Sequence, residues 1–247
     1  KLADVLWNEQ IENGIYSLSA EEINNGNTTY YVSSSEGNDD NTGLSRDNPK
    51  KSLEYFSGMS NVNILIKCGD TFNVSKGIKL GSNSIYASYG DGSRPVISFY
   101  RDLDLTFVPS QGIKNVWETD LSSLDIFTGE DSKDNCNIGH IRVDGKVNWK
   151  RYVWSSKEQY TPHYIEEKGD DAWAVDWITA KLYLYSENNP NDSRIEYAPP
   201  CKGFEGNGIK NTVIKGLEVI GVGTHCCNLN SCENIEVSCC YFHDIGG

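Results

Sequence analysis

The stretch Asn211-Thr212-Val213-Ile214-Lys215-Gly216-Leu217-Glu218-Val219 reads against Asn234-Ile235-Glu236-Val237-Ser238-Cys239-Cys240-Tyr241-Phe242 when the chain is moved on by 23 residues. Asn211 falls on Asn234, Ile214 on Val237, Leu217 on Cys240 and Val219 on Phe242. Outward in the same register, Phe204 meets Cys227, Ile209 meets Cys232, Val222 meets Ile245 and Gly223 meets Gly246. Apolar residues recur at matching places with polar ones between them. Stacked turns of chain require this, because one turn cannot bury its own apolar side alone. A period near two dozen residues, short strands and no helical stretch predict a parallel β-solenoid. Leucine-rich repeats have similar periods, but their Leu-x-x-Leu-x-Leu pattern is missing.

Upstream the pattern is compatible. Val62–Lys67, Thr71–Val74, Ile78–Leu80, Ile85–Ser88 and Val96–Phe99 are strand-sized runs separated by Gly, Asn, Asp and Ser. No helix-length amphipathic stretch follows any of them, which disfavours a βαβ fold. Before them, Tyr30-Tyr31-Val32-Ser33 reads as a strand, and Ser19-Ala20-Glu21-Glu22 has capping-box spacing for a short helix. Asn48-Pro49 offers an N-cap and a first-turn proline, and Leu53, Phe56 and Met59 would give a short helix there one apolar face. That helix could cap one end of the stack. Residues 100–200 carry the clusters Trp149 to Trp154 and Trp173 to Trp177, with Lys181–Tyr185 alternating as a half-buried strand. They read as a β-rich insertion held by aromatic pairs across strands. The expected division is 1–29 an N-terminal segment, 30–100 a cap and first coils, 101–195 the insertion, and 196–247 further coils.

Charge narrows the function classes. The 247 residues hold 22 Lys and Arg against 35 Asp and Glu, a net −13. A protein that acidic lacks the electrostatic footprint of a nucleic-acid binder. Runs such as Ile64-Leu65-Ile66 are too short to span a bilayer. Five of the eight cysteines crowd into the last 22 residues, with no Cys-x-x-Cys pair. The adjacent pairs Cys226-Cys227 and Cys239-Cys240 read more readily as small apolar residues in a tight interior than as disulfides. A structural zinc site is disfavoured for want of finger-like spacing.

The ordered set Tyr30–Ser33, Gly37-Asn38-Asp39-Asp40-Asn41-Thr42-Gly43, Asn48–Leu53, Gly69-Asp70-Thr71, Ala87–Gly92, Arg94–Ile97, Asn115-Val116-Trp117, Val143–Lys146, Lys181–Tyr185, Val213–Leu217 and His243–Gly247 resembles right-handed parallel β-helix glycoside hydrolases of the xylosidase, xylanase and fucosidase-like kind. More loosely it resembles pectate-lyase-like enzymes. The resemblance covers most of residues 30–247. It implies a right-handed parallel β-helix with a short N-terminal capping helix and a β-rich insertion. It further implies the N-terminal portion of a secreted enzyme acting on plant cell-wall polysaccharide, with an Asp/Glu pair as acid and base or nucleophile. The Asp-x-Gly-Ala-aromatic segment that would mark that pair is missing, so the pair is expected mostly outside residues 1–247. A solenoid ending at Gly247 would leave strand edges open, so a continuation of the coils or another chain is expected to cover that end.

Among this chain's own residues, Asp244, His243 and His225 are the candidates for acid–base or hydroxyl-binding roles, with ordinary turn residues as the alternative. Retaining glycosidases hold two carboxyls about 5–5.5 Å apart and inverting ones roughly 6.5–9.5 Å apart. Coils stacked at about 4.8 Å could present either spacing, yet Asp244 aligns with Gly221, not with an acid. Trp149, Trp154, Trp173 and Trp177 are candidates for stacking on sugar rings, against the alternative of a local core. Asp39 and Asn41 form half of a calcium-loop string, without the glutamate that completes it, so calcium stands as a weak candidate and no other cofactor is implied. The expected partner is a polysaccharide or oligosaccharide, with no nucleic acid and no membrane. Two further readings stay open: a non-catalytic glycan-binding or adhesion β-helix, and a polysaccharide lyase.

Overall fold

The repeat spacing seen in the sequence is the register of strand pairing. Phe204 pairs with Cys227, Ile214 with Val237 and Val219 with Phe242, all in parallel, and Val222 bridges Ile245. The computed structural model describes residues 23–124, 126, 138–152, 162–176 and 179–246. In chain order the strands begin with β1 (Thr28–Val32), β2 (Val62–Lys67), β3 (Thr71–Asn73), β4 (Ile78–Lys79), β5 (Ile85–Tyr89) and β6 (Val96–Ser98). Next come β7 (Arg101–Asp102), β8 (Val108–Pro109), β9 (Val116–Asp120), β10 (Ile141–Val143) and β11 (Lys146–Asn148). Helix α1 (Pro162–Lys168) precedes β12 (Trp173–Asp176), β13 (Lys181–Tyr185) and β14 (Ile195–Tyr197). The last six are β15 (Phe204–Asn207), β16 (Lys210–Lys215), β17 (Glu218–Ile220), β18 (Cys227–Asn230), β19 (Glu233–Ser238) and β20 (Tyr241–Phe242). Two compact units result, Lys1–Phe99 with Cys201–Ile245, and Tyr100–Pro200 with Gly246–Gly247.

The first unit is built from three all-parallel sheets, ordered β1-β2-β5-β16-β19, β3-β6-β17-β20 and β4-β15-β18. From β2 onward the chain visits the three sheets in the same cyclic order. Alternation sends every second residue inward, and the register then lines like positions into columns. Ile64, Tyr86, Ile214 and Val237 make one column, and Phe72, Ile97, Val219 and Phe242 another. Ile64, Ile97, Ile214 and Val219 are wholly buried, each worth roughly 1.5–3 kcal/mol as an upper bound. Val237, whose strand has a neighbour on one side only, is 42% exposed. The reverse face of the five-stranded sheet is also apolar, through Leu65, Ile85, Ala87 and Tyr89. This explains why β2 and β5 are buried at nearly every position.

A third column runs outside the core. Asn61, Asn83, Asn211 and Asn234 all sit in the left-handed region, with φ of 59°, 53°, 54° and 57°. Asparagine visits this region more readily than most L-residues because its short amide bonds locally. The Asn83 amide donates to Asn61 Oδ1 (3.1 Å), Asn211 to Asn83 (2.9 Å) and Asn234 to Asn211 (2.9 Å). The middle step joins residues 128 apart in sequence, on either side of the second unit.

The helix expected over Asn48–Met59 shrinks to one 3₁₀ turn, Glu54–Phe56. Lys50 is engaged as a strand, its N–H donating to Tyr31 and its carbonyl accepting from Ser33, which leaves too few residues before Gly58 (φ 81°) for a longer helix. Leu53 and Phe56 still join the main core. The helix expected near Ser19 lies outside the described residues. Of the seven described cysteines, five pack against the main core: Cys201, Cys226, Cys227, Cys232 and Cys240.

The second unit holds two antiparallel sheets, β7-β14-β10-β11 and β8-β9-β13-β12. β13 is not half-buried. Leu182 and Leu184 pack with Trp173 in one cluster, while Tyr183 packs with Ile165, Val116 and Ala174 in another. Arg142 and Glu196 face each other across β10 and β14 in a bidentate pair, 2.7 Å at both contacts. Arg194 joins the same carboxylate at 3.1 Å, and the Arg142 guanidinium lies 3.9 Å from the centre of the Tyr100 ring.

Two substitutions probe these ties. Asn211→Ala loses two ladder bonds and strains a left-handed residue, for about 2 kcal/mol by denaturant titration, whereas Asn211→Gly, which keeps the backbone relaxed, loses about 1 kcal/mol. Equal losses would mean the side-chain ladder carries the whole effect. Glu196→Ala strands the Arg142 charge and is expected to cost roughly 3–5 kcal/mol, read as a fall in the midpoint of thermal or denaturant unfolding.

Candidate functional site

Alternation along β17 and β20 turns Val219 and Phe242 inward, so Glu218, Tyr241 and the following His243 share the outward face. Glu218 stands opposite Tyr241 in register, one strand over. The His243 ring lies 4.3 Å from Tyr241, nearly parallel to it at 28°. Its Nε2 reaches Glu218 Oε1 at 3.1 Å and its Nδ1 reaches Asp244 Oδ1 at 3.3 Å. Asp244 is left-handed (φ 53°), as is its repeat partner Gly221 (φ 72°), and the Asp244 carbonyl accepts from the Gly221 N–H at 3.0 Å. Asp244 is therefore both a turn residue and a member of the cluster.

The hydrogen bond to Asp244, then that to Glu218, favour the charged ring and push the His243 pKa up to about 9, against the desolvation that opposes it. At neutral pH an imidazolium lies between two carboxylates, with each ring N–H donating to one of them. A group so held is a weak proton donor at neutral pH. The cluster is suited instead to accepting hydrogen bonds from hydroxyl groups. Glu218 is the residue that sequence reasoning missed. The search for an acid beside Asp244 met Gly221 one repeat back, whereas Glu218 reaches the histidine diagonally across strands.

His225 is not part of this cluster: it sits exposed on the turn before β18, in the three-stranded sheet. Trp173 is wholly buried, its Nε1 donating to the Asn148 carbonyl at 3.2 Å, so it is core and presents no platform. Trp149 is 57% exposed. Trp154 and Trp177 lie outside the described residues. The Asp39 carboxylate accepts from Lys51 N, Ser52 N and Ser52 Oγ. Burial opposes its charge, but these bonds hold its pKa below the ordinary carboxylate value. The Asn41 amide donates to the Pro49 carbonyl at 2.8 Å. Both residues fasten a turn, Asp39 through its carboxylate and Asn41 through its amide N–H. Among the described residues no cluster of three or more His, Cys, Asp or Glu could hold a metal, and no helix is long and apolar enough to cross a membrane.

No protein-family model matches the sequence, and no curated protein matches it. In fold the chain is similar to XylC, solved in complex with xylose, with a TM-score of 0.53 and 15% identity over 79% of this chain and 36% of that one. Two structures of GH136 lacto-N-biosidase from Eubacterium ramulus superpose more loosely. The selenomethionine form gives a TM-score of 0.40 at 14% identity over 89% of this chain and 27% of that one. The native form gives 0.38 at 15% over 97% and 36%. The chain spans about a third of the length of the structures it matches.

A histidine whose pKa is raised on folding stabilises the fold fully below its unfolded value, near 6.5, and ceases to do so as pH rises through about 9. His243→Gln should therefore cost about 1–2 kcal/mol at pH 6, discounted for screening at a half-exposed site. By pH 10 the unfolding midpoints of the two proteins should converge, and a gap independent of pH would remove the charged histidine from the account.

Proposed function

We propose that the three parallel sheets are coils of a right-handed parallel β-helix, and that the protein is the N-terminal section of a secreted glycoside hydrolase acting on plant cell-wall polysaccharide. The observation that carries the reading is the Glu218–His243–Asp244 cluster on the outward face of stacked parallel strands. Its two carboxylates flank one imidazole ring, Glu218 at Nε2 and Asp244 at Nδ1. Its place in the reading is to receive sugar hydroxyls, beside a catalytic Asp/Glu pair held mostly in coils beyond residue 247. Support for the carbohydrate class comes from the likeness in fold to XylC, whose structure holds xylose. Val237, 42% exposed at the last strand of its sheet, is consistent with further coils or another chain stacking there.

Incubation of the intact protein, including the coils proposed beyond residue 247, with xylan, fucosylated glycans and pectin tests this reading. New reducing ends are expected from at least one of them, with the rate lowered about tenfold or more by Glu218→Gln, on the scale of one charged hydrogen bond. Binding without any new reducing end would favour the glycan-binding reading, and unsaturated products the lyase one. Absence of binding and of product on all three substrates would overturn the carbohydrate assignment.

A further inference from the structure

The second unit contains a cleft of about 770 Å³ between the β10–β11 hairpin and the segment from Tyr185 to Pro190. That volume lies within the roughly 300–1,000 Å³ usual for small-molecule sites. The hairpin turns at Asp144 and Gly145, both left-handed (φ 48° and 77°), and delivers Trp149 just past the end of β11. Trp149 is the most exposed large apolar side chain described, at 57%, and it lines the cleft. Its orientation is set from behind. His140, fully buried, lies 4.7 Å from the Trp149 ring, and the His140 Nε2 is 2.7 Å from Tyr100 Oη. A tryptophan held against a buried ring and still 57% exposed offers a flat apolar surface to a ligand in the cleft.

The rest of the lining says what that partner is. Asp144, Asp171, Lys146 and Lys150 border the cleft, so its charges balance, and Lys150 is already paired with Asp170. Amides and hydroxyls fill the space between, among them Asn188 on the exposed segment after β13. An anion would find no net positive field here, and an apolar ligand would strand the amides. A pyranose satisfies both requirements, with one C–H face for the indole and a rim of hydroxyls for the amides and charges.

We propose that this cleft is a binding site for neutral oligosaccharides, with Trp149 as its stacking platform. The inference concerns the second unit alone and stands whether or not the first unit cleaves a glycan.

Calorimetric titration of the intact protein with xylohexaose, lacto-N-tetraose and, as an anionic control, hexagalacturonate tests it. Saturable binding of at least one neutral probe is expected, tighter than that of the control. Trp149→Ala should weaken it about tenfold, while Trp149→Phe, which keeps a flat ring, should stay within about threefold of the unchanged protein. Asn188→Ala, on an exposed segment that leaves the fold intact, should weaken it as well. No saturation by either neutral probe, or equal affinity in Trp149→Ala and the unchanged protein, would overturn the assignment. So would binding lost in Glu218→Gln but kept in Trp149→Ala, an outcome that moves the sugar to the first unit and leaves the reading of that unit standing.

Discussion

The asparagine column is the constraint on which the rest of the first unit depends. Parallel strands with a shared register could slide by two residues and still present alternate faces. The amide at Asn211 allows no such slip, because it must meet Asn83 below and Asn234 above while its own backbone stays left-handed. Once that residue is fixed, Ile214 falls on Tyr86 and Val237 falls on Ile214, and the interior columns close. The same fix sets Glu218 opposite Tyr241, without which His243 would have no second carboxylate. Outer ladder, inner core and surface cluster are one registration seen at three depths.

That the middle rung joins residues 128 apart has a consequence for folding. Contacts between β5 and β16 close a long loop, and loop closure costs only about 0.6 kcal/mol for each doubling of length. The second unit occupies that loop with its own cores and its own bidentate Arg142–Glu196 pair. A loop that orders itself through its own contacts does not charge its entropy to the β5–β16 rung. The long excursion is thereby compatible with a continuous stack.

How much of this was legible follows from which contacts are local in pattern. The offset of 23 residues appeared in the sequence because identical register forces chemically similar residues to recur, and Phe204 on Cys227 and Val219 on Phe242 were readable from it. The step across the second unit repeats nothing at fixed spacing, so Asn83 on Asn211 was hidden, as was Asn61 on Asn83 at a step of 22. The helix near Asn48 was misread because capping signals are local, while Lys50 spends its backbone bonds on β1, a partner no local pattern reveals. Trp149 and Trp173 looked alike in sequence. Only the antiparallel register, which sets Trp173 opposite Leu184 in one core with Leu182, separates platform from filler.

Charge bears on which ligands the two proposed sites would take. With a net −13, the molecule repels polyanions at long range. At short range the Glu218–His243–Asp244 group adds one cation against two carboxylates, so its local balance is negative as well. A polygalacturonate chain would have to overcome both fields, whereas a neutral glycan meets neither. In the first unit, then, hydroxyl groups are the complementary chemistry, because ionised carboxylates accept their hydrogen bonds more strongly than neutral acceptors do. The raised pKa of His243 keeps the ring positively charged between its two carboxylate neighbours across the neutral range.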